Sequence, residues 1–282
     1  MADITITFGT GVGQVPGQRF FLFTGPLAGP HVFSCSGSLP CAWTAEAPPE
    51  LRAGALLRGE REEHRVLGRA WVPGLVDGGE NRPDALCWLL ETLVPAPAAM
   101  PEARALGLSR AGFALAWITL SDKGSRGERA DASGPLVEEL VRAAMPVSLA
   151  RGFLMPDDER GIRALLTHLA LEAGFDLIAT TGGTGVAPRD VTPEATLSVI
   201  EKRLPGFERA MTVTSLAKTP TGAVSRAVCG TLGGALILNL PGSPKAVREC
   251  LGAVLPAVAH TIEKLQGDPS DCAQAAGKHP AK

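Results

Sequence analysis

The chain lacks a surplus of charge of either sign. Its 27 lysines and arginines nearly balance 29 aspartates and glutamates, which leaves a formal net charge of −2 over 282 residues. Proteins that bind nucleic acids or anionic membranes carry clustered basic residues, because these residues neutralise phosphate groups. We therefore expect no nucleic-acid partner and no electrostatic attachment to a membrane.

Long apolar runs are also missing. No stretch reaches the roughly 18 to 20 apolar residues that a membrane-spanning helix requires. Residues 1–7 contain neither a basic segment nor a continuous apolar segment, so they do not resemble a secretion signal. These absences predict a cytoplasmic protein that does not cross a membrane.

The six cysteines form no C-x-x-C pair, and the five histidines show no H-x-x-x-H spacing. Cys35 and Cys41 could form a bridge or half of a metal site, but unpaired thiols are the expected state in a reduced compartment. The sequence therefore predicts neither a zinc site nor a redox site.

Proline and small residues predict a linker over residues 94–108. Three prolines in this segment disfavour both a helix interior and a central strand. Before it, residues 1–93 alternate short apolar stretches with glycine and proline, which predicts a small β-rich domain. Within this domain only residues 84–93 have a helical pattern.

Strand and helix patterns alternate over residues 109–266. Residues 113–120 form an apolar run typical of a strand, and apolar residues recur at helical spacing over 162–170. A strand is also predicted near 223–229. Such repeated units favour an α/β fold, a three-layer and mostly parallel sheet with helices on both faces. Residues 267–282 have little apolar material and predict a flexible tail.

Three loops that follow predicted strands carry groups that bind anions. Glycines over residues 181–185 allow backbone N–H groups to approach an oxyanion. Residues 241–245 combine a hydroxyl, a helix N-terminus and a lysine. A polar loop begins at Ser121 and ends near Ser133. Because ligands of open α/β sheets collect at the carboxyl ends of the strands, these loops predict a phosphate site.

Asp157 follows the second predicted strand of residues 109–266 and Asp190 lies beyond the third, and both have settings suitable for a divalent cation. Magnesium prefers one or two carboxylates together with phosphate oxygens and water. Each feature also has a purely structural interpretation, since a lone aspartate is more often a helix cap and a glycine-rich loop is often only a turn. The residues alone favour an enzyme with a phosphate ligand and name no substrate.

Six motifs, in one order over about 155 residues, resemble the molybdopterin adenylyltransferase family, which includes the G domains of gephyrin-like fusion proteins. The motifs are Ile118-Thr119-Leu120-Ser121-Asp122, Asp131-x-Ser133-Gly134-Pro135, Thr181-Gly182-Gly183-Thr184-Gly185-x-x-x-Arg189-Asp190-Val191-Thr192-Pro193-Glu194-Ala195, Pro205-Gly206-Phe207, Ser225-Arg226 and Leu238-Asn239-Leu240-Pro241-Gly242-Ser243-Pro244-Lys245. No single motif is specific, but their combination is.

The resemblance implies a homotrimeric domain that uses Mg²⁺ to transfer AMP from ATP to the terminal phosphate of molybdopterin, releasing pyrophosphate. It also implies molybdenum-insertion or molybdoenzyme partners. The motifs place the catalytic and metal-binding carboxylates at Asp157 and Asp190. They place substrate binding at Ser121, Asp122, Asp131, Ser133, Gly134, Thr181, Gly182, Gly183, Thr184, Gly185, Glu194, Ser225, Pro241, Gly242, Ser243 and Lys245.

A second hypothesis is a molybdopterin-binding carrier or scaffold that does not turn over ATP. The presence of both Asp157 and Asp190 favours catalysis. Residues 1–93 lie outside the resemblance and contain no lysine. We expect them to stabilise the oligomer, with binding of a partner enzyme or delivery of the cofactor as alternatives.

Overall fold

The chain divides into two compact units. The structure, a computed structural model, describes residues 3–9, 11–24, 40–46, 51–72, 76–77, 80–81, 85–97, 103–128 and 130–269. Unit 1 comprises Met1–Gly112 and Glu172–Gly174, and unit 2 comprises Phe113–Leu171 and Phe175–Lys282.

Unit 1 is a closed β-barrel, which agrees with the predicted richness in strands. Its strands are β1 (Asp3–Phe8), β2 (Arg19–Thr24), β3 (Cys41–Thr44), β4 (Leu56–Arg58), β5 (Glu63–Val72), β8 (Ala85–Val94) and β9 (Ala103–Ser109), in the order β1-β3-β2-β8-β5-β4-β9. The short strands β6 (Val76–Asp77) and β7 (Glu80–Asn81) pair separately. Burial alternates along β1, where Ile4, Ile6 and Phe8 are buried, as expected for a strand with one face in a core.

Two predictions for this region are wrong. The expected linker over 94–108 contains strand β9, which pairs with both β1 and β4 and so completes the barrel. The expected helix over 84–93 is strand β8, in which Trp88, Leu90 and Thr92 are buried at every second position. Pairing of β8 with both β2 and β5 overrides the local helical preference of its residues.

Unit 2 has a mixed α/β fold. Its strands are β10 (Phe113–Leu120), β11 (Val147–Met155), β12 (Leu177–Thr181), β13 (Lys202–Arg203), β14 (Cys229–Leu232) and β15 (Ala235–Leu240). Its helices are α1 (Asp122–Ser125), α2 (Ser133–Ala144), α3 (Glu159–Thr167), α4 (Thr192–Leu197), α5 (Pro205–Leu216) and α6 (Pro244–Leu265). A π-helical segment (His168–Ala173) continues α3, and a 3₁₀ helix spans Pro220–Val224.

The sheet of unit 2 positions the strand ends. Its order is β11-β10-β12-β15-β14-β13, and the first four strands are parallel. Strands β14 and β13 are antiparallel additions at one edge. The carboxyl ends of β10, β11, β12 and β15 therefore lie along one edge of the sheet, and the loops that leave them are neighbours. Helices α2, α5 and α6 share an apolar cluster with β10, β12 and β15.

Other predictions concern shorter segments. The expected strand over 223–229 is wrong, because the chain leaves the 3₁₀ helix at Val224 and enters β14 only at Cys229. Four cysteines, Cys41, Cys87, Cys229 and Cys250, are free and buried. Cys35 and most of the expected tail, from residue 270 onward, lie outside the described residues. Within the described ranges, no helix is both long enough and apolar enough to span a membrane.

Candidate functional site

A cavity of about 240 Å³ opens at the carboxyl edge of the parallel strands in unit 2. Its walls come from the loops after β10, β12 and β15 and from the start of α2. Six of the predicted site residues line it, namely Ser121, Asp131, Ser133, Thr181, Gly242 and Ser243. The lining combines hydroxyl groups with apolar side chains such as Leu120 and Leu154, and its hydroxyls suit a ligand that carries phosphate or other hydrogen-bonding oxygens.

Asp131 organises the side of the cavity formed by the start of α2. Its Oδ1 accepts hydrogen bonds from the backbone N–H groups of Ser133 (3.0 Å) and Gly134 (2.9 Å), and its Oδ2 accepts from the Thr119 hydroxyl (2.7 Å). The N-terminus of α2 is therefore already occupied by a carboxylate. Asp131 shapes the cavity wall and leaves this helix start a weaker anion site than the sequence predicts.

Gly134 meets a steric requirement at the same place. A Cβ atom there would lie 2.3 Å from Trp117 Nε1 and 2.4 Å from Asp131 Oδ2. The cavity wall is tied to the opposite loop, because the Ser133 hydroxyl donates to the Gly242 carbonyl at 2.8 Å. Similarly, the Thr181 hydroxyl donates to the Pro241 carbonyl at 2.8 Å. These bonds hold the loops after β12 and β15 in a fixed arrangement around the cavity.

The glycine loop, residues 182–185, packs too closely for side chains at its three glycines. Gly182 and Gly183 have φ values of +104° and +62°. A Cβ atom at Gly183 would lie 2.3 Å from Thr192 Oγ1 and 2.8 Å from Asp157 Oδ1, and one at Gly185 would lie 2.7 Å from Asp190 Oδ2. The two predicted catalytic carboxylates therefore both contact this loop.

Three carboxylates form what we call the acidic corner, Asp122, Asp157 and Asp190. Asp122 Oδ1 accepts a hydrogen bond from the Asp157 backbone N–H at 3.3 Å. Asp190 Oδ2 accepts from the Ala187 backbone N–H at 2.8 Å and so fixes its own loop. Asp158, rather than Asp157, caps helix α3 by accepting from Gly161 N–H at 2.7 Å. The helix-cap interpretation of Asp157 therefore does not hold.

The pKa values of Asp122 and Asp157 at the acidic corner shift in opposite directions. Hydrogen bonds from Arg189 lower the pKa of Asp122 below its usual value. Burial raises the pKa of the Asp157 carboxyl, and the nearby negative charges of Asp122 and Asp190 raise it further. Asp157 therefore lies where negative charge is not fully compensated, which is a setting that attracts a cation.

Ser225 and Glu194 lie away from the first cavity. Both line a second cavity of about 480 Å³, together with Arg203, Arg209 and Arg226. Arg226 forms an ion pair with Glu194 and donates hydrogen bonds to the carbonyls of Gly185 (2.7 Å) and Asp190 (2.7 Å). The same ion pair lowers the pKa of Glu194. Arg226 thus supports the glycine loop and the loop of Asp190 from the side of the second cavity.

Three of the predicted residues, Thr184, Lys245 and Ser243, have the following placements. Thr184 is buried, and its carbonyl accepts the backbone N–H of Arg226 at 2.8 Å. Lys245 is exposed in the first turn of α6 and is not part of the cavity lining. Ser243 is the N-cap of α6, since its hydroxyl accepts from Ala246 N–H at 3.2 Å.

Sequence reasoning missed several residues at the site. Thr119, Gly124 and Leu154 line the first cavity. Thr119 could have been found, because alternation along β10 places it on the same side as Ser121. Arg189 and Arg226 were present in the motifs but received no role. Their contacts join loops that are distant in sequence, so only the fold reveals them.

The described residues contain no group of three or more histidine, cysteine, aspartate or glutamate side chains placed to hold a metal ion by themselves. A cation at the acidic corner would therefore need ligands from a bound substrate or from water. That requirement agrees with the coordination that magnesium adopts with phosphate-containing substrates.

Comparison with known proteins identifies relatives of unit 2. The chain is 41% identical over 152 residues to the molybdopterin adenylyltransferase of Helicobacter pylori (strain J99), covering 54% of this chain and 86% of that protein. It is 38% identical over 161 residues to gephyrin of Dictyostelium discoideum, of which it covers 22%. The crystal structure of the molybdopterin biosynthesis enzyme MoaB from Thermus thermophilus has 46% identity and a TM-score of 0.52, covering 56% of this chain and 99% of that one.

These relatives confirm the resemblance that the six motifs indicate. The model of the family described as "Probable molybdopterin binding domain" matches residues 116–260, which contain the first cavity, the glycine loop and the acidic corner. Several curated relatives at 41% identity are named molybdopterin adenylyltransferase. The chain therefore belongs to the molybdopterin-binding domain family of molybdenum cofactor biosynthesis proteins.

Proposed function

We propose that this protein is a molybdopterin adenylyltransferase that transfers AMP from ATP to the terminal phosphate of molybdopterin. The observation that carries the proposal is the contact of Asp157 and Asp190 with the glycine loop beside a cavity lined by hydroxyls. Nucleotidyl transfer needs positioning and charge neutralisation more than a protein nucleophile, and this site supplies both. The names of the relatives support the same activity.

In the proposed reaction an oxygen of the terminal phosphate of molybdopterin attacks the α-phosphorus of ATP. A new P–O–P bond forms, the bond between the α- and β-phosphates breaks, and pyrophosphate leaves with the bonding electrons. The backbone amides of the glycine loop would bind phosphate oxygens. The hydroxyls of Ser121 and Thr181 would orient the acceptor in the first cavity, and Arg226 would keep the loop rigid through its bonds to Gly185 and Asp190.

The residues present fit a magnesium ion. Asp157 is half-buried and under-compensated, and it approaches the glycine loop from the loop after β11 while Asp190 approaches from the loop after β12. Two carboxylates with phosphate oxygens and water make a normal ligand set for this ion. When bound, Mg²⁺ would neutralise charge on the phosphates. Asp157 and Asp190 would hold it, and the glycine loop would keep the phosphate oxygens next to it.

The test is pyrophosphate release by the full chain supplied with molybdopterin, ATP and magnesium. We expect release by the wild type and a loss of at least about 100-fold in Asp190→Asn. Asparagine can still accept the bond from Ala187 N–H, so the loop is preserved. Asp158→Asn is the matched control, because this neighbour of Asp157 caps α3 and asparagine is an equally good N-cap.

The alternative is a molybdopterin-binding carrier without ATP turnover. Pterin binding by the wild type without pyrophosphate release would establish the carrier and reject the transferase. Release that persists at wild-type rate in Asp190→Asn would reject the assigned role of the acidic corner.

The proposal includes a homotrimer in the cytoplasm that works with molybdenum-insertion enzymes or molybdoenzymes. Support for self-association comes from apolar side chains at the surface of unit 2, where Val213 is 67% exposed, Leu216 46% and Val224 44%. Clustered exposed apolar residues commonly mark interfaces. We expect a trimer in sedimentation velocity and a smaller species after Val213→Asp. A wild-type monomer would contradict this part of the proposal. For unit 1 we propose a role in stabilising the oligomer.

A further inference from the structure

Asp122 connects three loops at the acidic corner. It begins α1 just after β10, and its Oδ1 accepts from the Asp157 backbone N–H in the loop after β11. From the loop after β12, Arg189 donates two hydrogen bonds to it, Nε to Oδ2 at 3.0 Å and Nη2 to Oδ1 at 2.5 Å. One carboxylate thus joins the loops that follow three neighbouring parallel strands.

Arg189 is the arginine that hydrogen-bonds to this corner, and the charge of Arg126 also acts on Asp122. The charges of Asp122, Asp157 and Asp158 all act on it. Its two hydrogen bonds are made to Asp122, whereas Asp157 remains under-compensated. The guanidinium therefore lies at the edge of the acidic corner, where its charge acts on Asp157 and opposes the approach of a divalent cation, and it belongs to the residue next to Asp190.

The Arg189–Asp122 pair is suited to exchange. The side chain of Arg189 is 63% exposed, and exposed ion pairs contribute little to stability because water screens them. The planar guanidinium forms bidentate hydrogen bonds with phosphate oxygens in the same geometry in which it binds a carboxylate. A triphosphate at the adjacent glycine loop would therefore compete effectively with Asp122 for this side chain.

We propose that Arg189 is a nucleotide-binding residue. When a divalent cation binds the carboxylates of the acidic corner, the guanidinium of Arg189 leaves Asp122 and binds the triphosphate of ATP. This inference rests on the proposed function and adds a coupling between its two ligands. The metal displaces the guanidinium, and the released guanidinium binds the nucleotide. Metal and nucleotide therefore each increase the affinity for the other, as thermodynamic linkage requires.

The first experiment measures Mn²⁺ binding to the full chain without nucleotide, by electron paramagnetic resonance of the free ion. In Arg189→Gln the competing cation is gone, so we expect Mn²⁺ affinity to rise by about fivefold or more. Arg189→Lys keeps the charge and should stay near wild type. The matched control is Arg142→Gln, which removes an exposed arginine that pairs with Glu138 on α2 instead.

The second experiment measures binding of α,β-methylene-ATP, which cannot be cleaved at the reacting bond, in the presence of Mn²⁺. Arg189→Gln should bind it about fivefold or more weakly, and Arg189→Lys should recover only part of the loss because lysine has no planar fork. Unchanged Mn²⁺ affinity in Arg189→Gln, or unchanged nucleotide affinity, would overturn the inference. Because the Arg189 side chain is exposed, its loss should lower the melting temperature only slightly, and folding can be checked directly.

The outcomes separate this inference from the proposed function. If the wild type releases no pyrophosphate but the Mn²⁺ and nucleotide effects occur, the transferase is rejected and the exchange at Arg189 is retained. If pyrophosphate is released and Arg189→Gln binds both ligands like the wild type, the exchange alone is rejected.

Discussion

The barrel of unit 1 and the acidic corner of unit 2 place charged side chains in opposite environments. Inside the barrel, Glu62 Oε2 lies 3.0 Å from His64 Nε2, and Glu62 Oε1 lies 2.8 Å from Arg104 Nε. The side chains of Glu62 and His64 are fully buried, and Arg104 lies 3.8 Å from the centroid of the Phe8 ring. At the acidic corner the carboxylates are partly exposed and negative charge is in excess.

This difference shows which charges maintain the fold and which are available for a ligand. Buried charges are costly unless each one is paired, so a barrel that contains them depends on keeping every partner. The corner keeps an under-compensated carboxylate against a rigid loop, which lowers stability and favours ligand binding. Removing one partner of a buried pair should therefore destabilise unit 1, whereas removing an excess negative charge should stabilise the corner of unit 2.

The largest effect should follow Arg104→Met in the barrel. The change leaves the buried Glu62 without its arginine, so that only His64 remains beside it, and breaking a buried pair in this way typically costs about 3–5 kcal/mol of unfolding free energy. Urea unfolding can be followed by tryptophan fluorescence in a Trp117→Phe background, where the remaining tryptophans all belong to unit 1. The double variant Glu62→Leu/Arg104→Met removes both charges and should recover part of the loss. A single variant within about 1 kcal/mol of wild type would contradict the comparison.

The next effect concerns Gly183→Ala in the glycine loop. Alanine at φ +62° costs about 1–3 kcal/mol, and its Cβ would also displace Thr192 and Asp157. We expect a lower melting temperature together with loss of pyrophosphate release. Gly252→Ala is the control, because a Cβ there meets no atom within 4 Å inside helix α6 and alanine should stabilise the helix slightly. Equal behaviour of the two variants would mean that the loop tolerates side chains.

The fold of unit 2 was largely predictable from the sequence, because helical spacing and strand runs there agree with their tertiary environment. Helix α6 begins within the predicted residues 241–245, and the strand Phe113–Leu120 has the predicted bounds. In unit 1, local patterns conflict with the barrel. The prolines before Ala103 indicate a linker, although strand β9 begins there. The leucines of β8 favour a helix locally, but pairing with β2 and β5 makes this segment a strand.

The sequence predicted which loops form the candidate site, but it did not predict that the site residues divide between two cavities. Motifs identified the loops after β10, β12 and β15, and the cavity lies among them. They could not separate Ser225 and Glu194 from that cavity, because both depend on how α4 and α5 are packed. The motifs also could not show that Asp131 accepts hydrogen bonds from the start of α2. An aspartate in the same sequence context can either cap a helix or bind a ligand in a pocket.

A smaller effect, of opposite sign, is expected from Asp157→Asn. Folding raises the pKa of Asp157 above the ordinary value of about 4, so ionisation costs stability, and this cost appears as the pH rises through the folded pKa. At pH 7 the variant should melt about 2 °C higher than wild type, and the difference should vanish below about pH 4. Pyrophosphate release should be lost. Thermal melting at pH 4 and pH 7 is the measurement, and a lower melting temperature at pH 7 would be the contrary result.

The smallest effect should follow Glu138→Gln on helix α2. Glu138 and Arg142 form an i,i+4 pair at 2.7 Å with side chains 29% and 47% exposed. Such pairs contribute about 0.3–0.5 kcal/mol, because water already solvates both groups. Urea unfolding in the wild-type tryptophan background, at low and high salt, should show this small loss only at low salt. A loss near that of Arg104→Met would mean that exposure does not separate the two kinds of ion pair, and the contrast between barrel and corner would then need another cause.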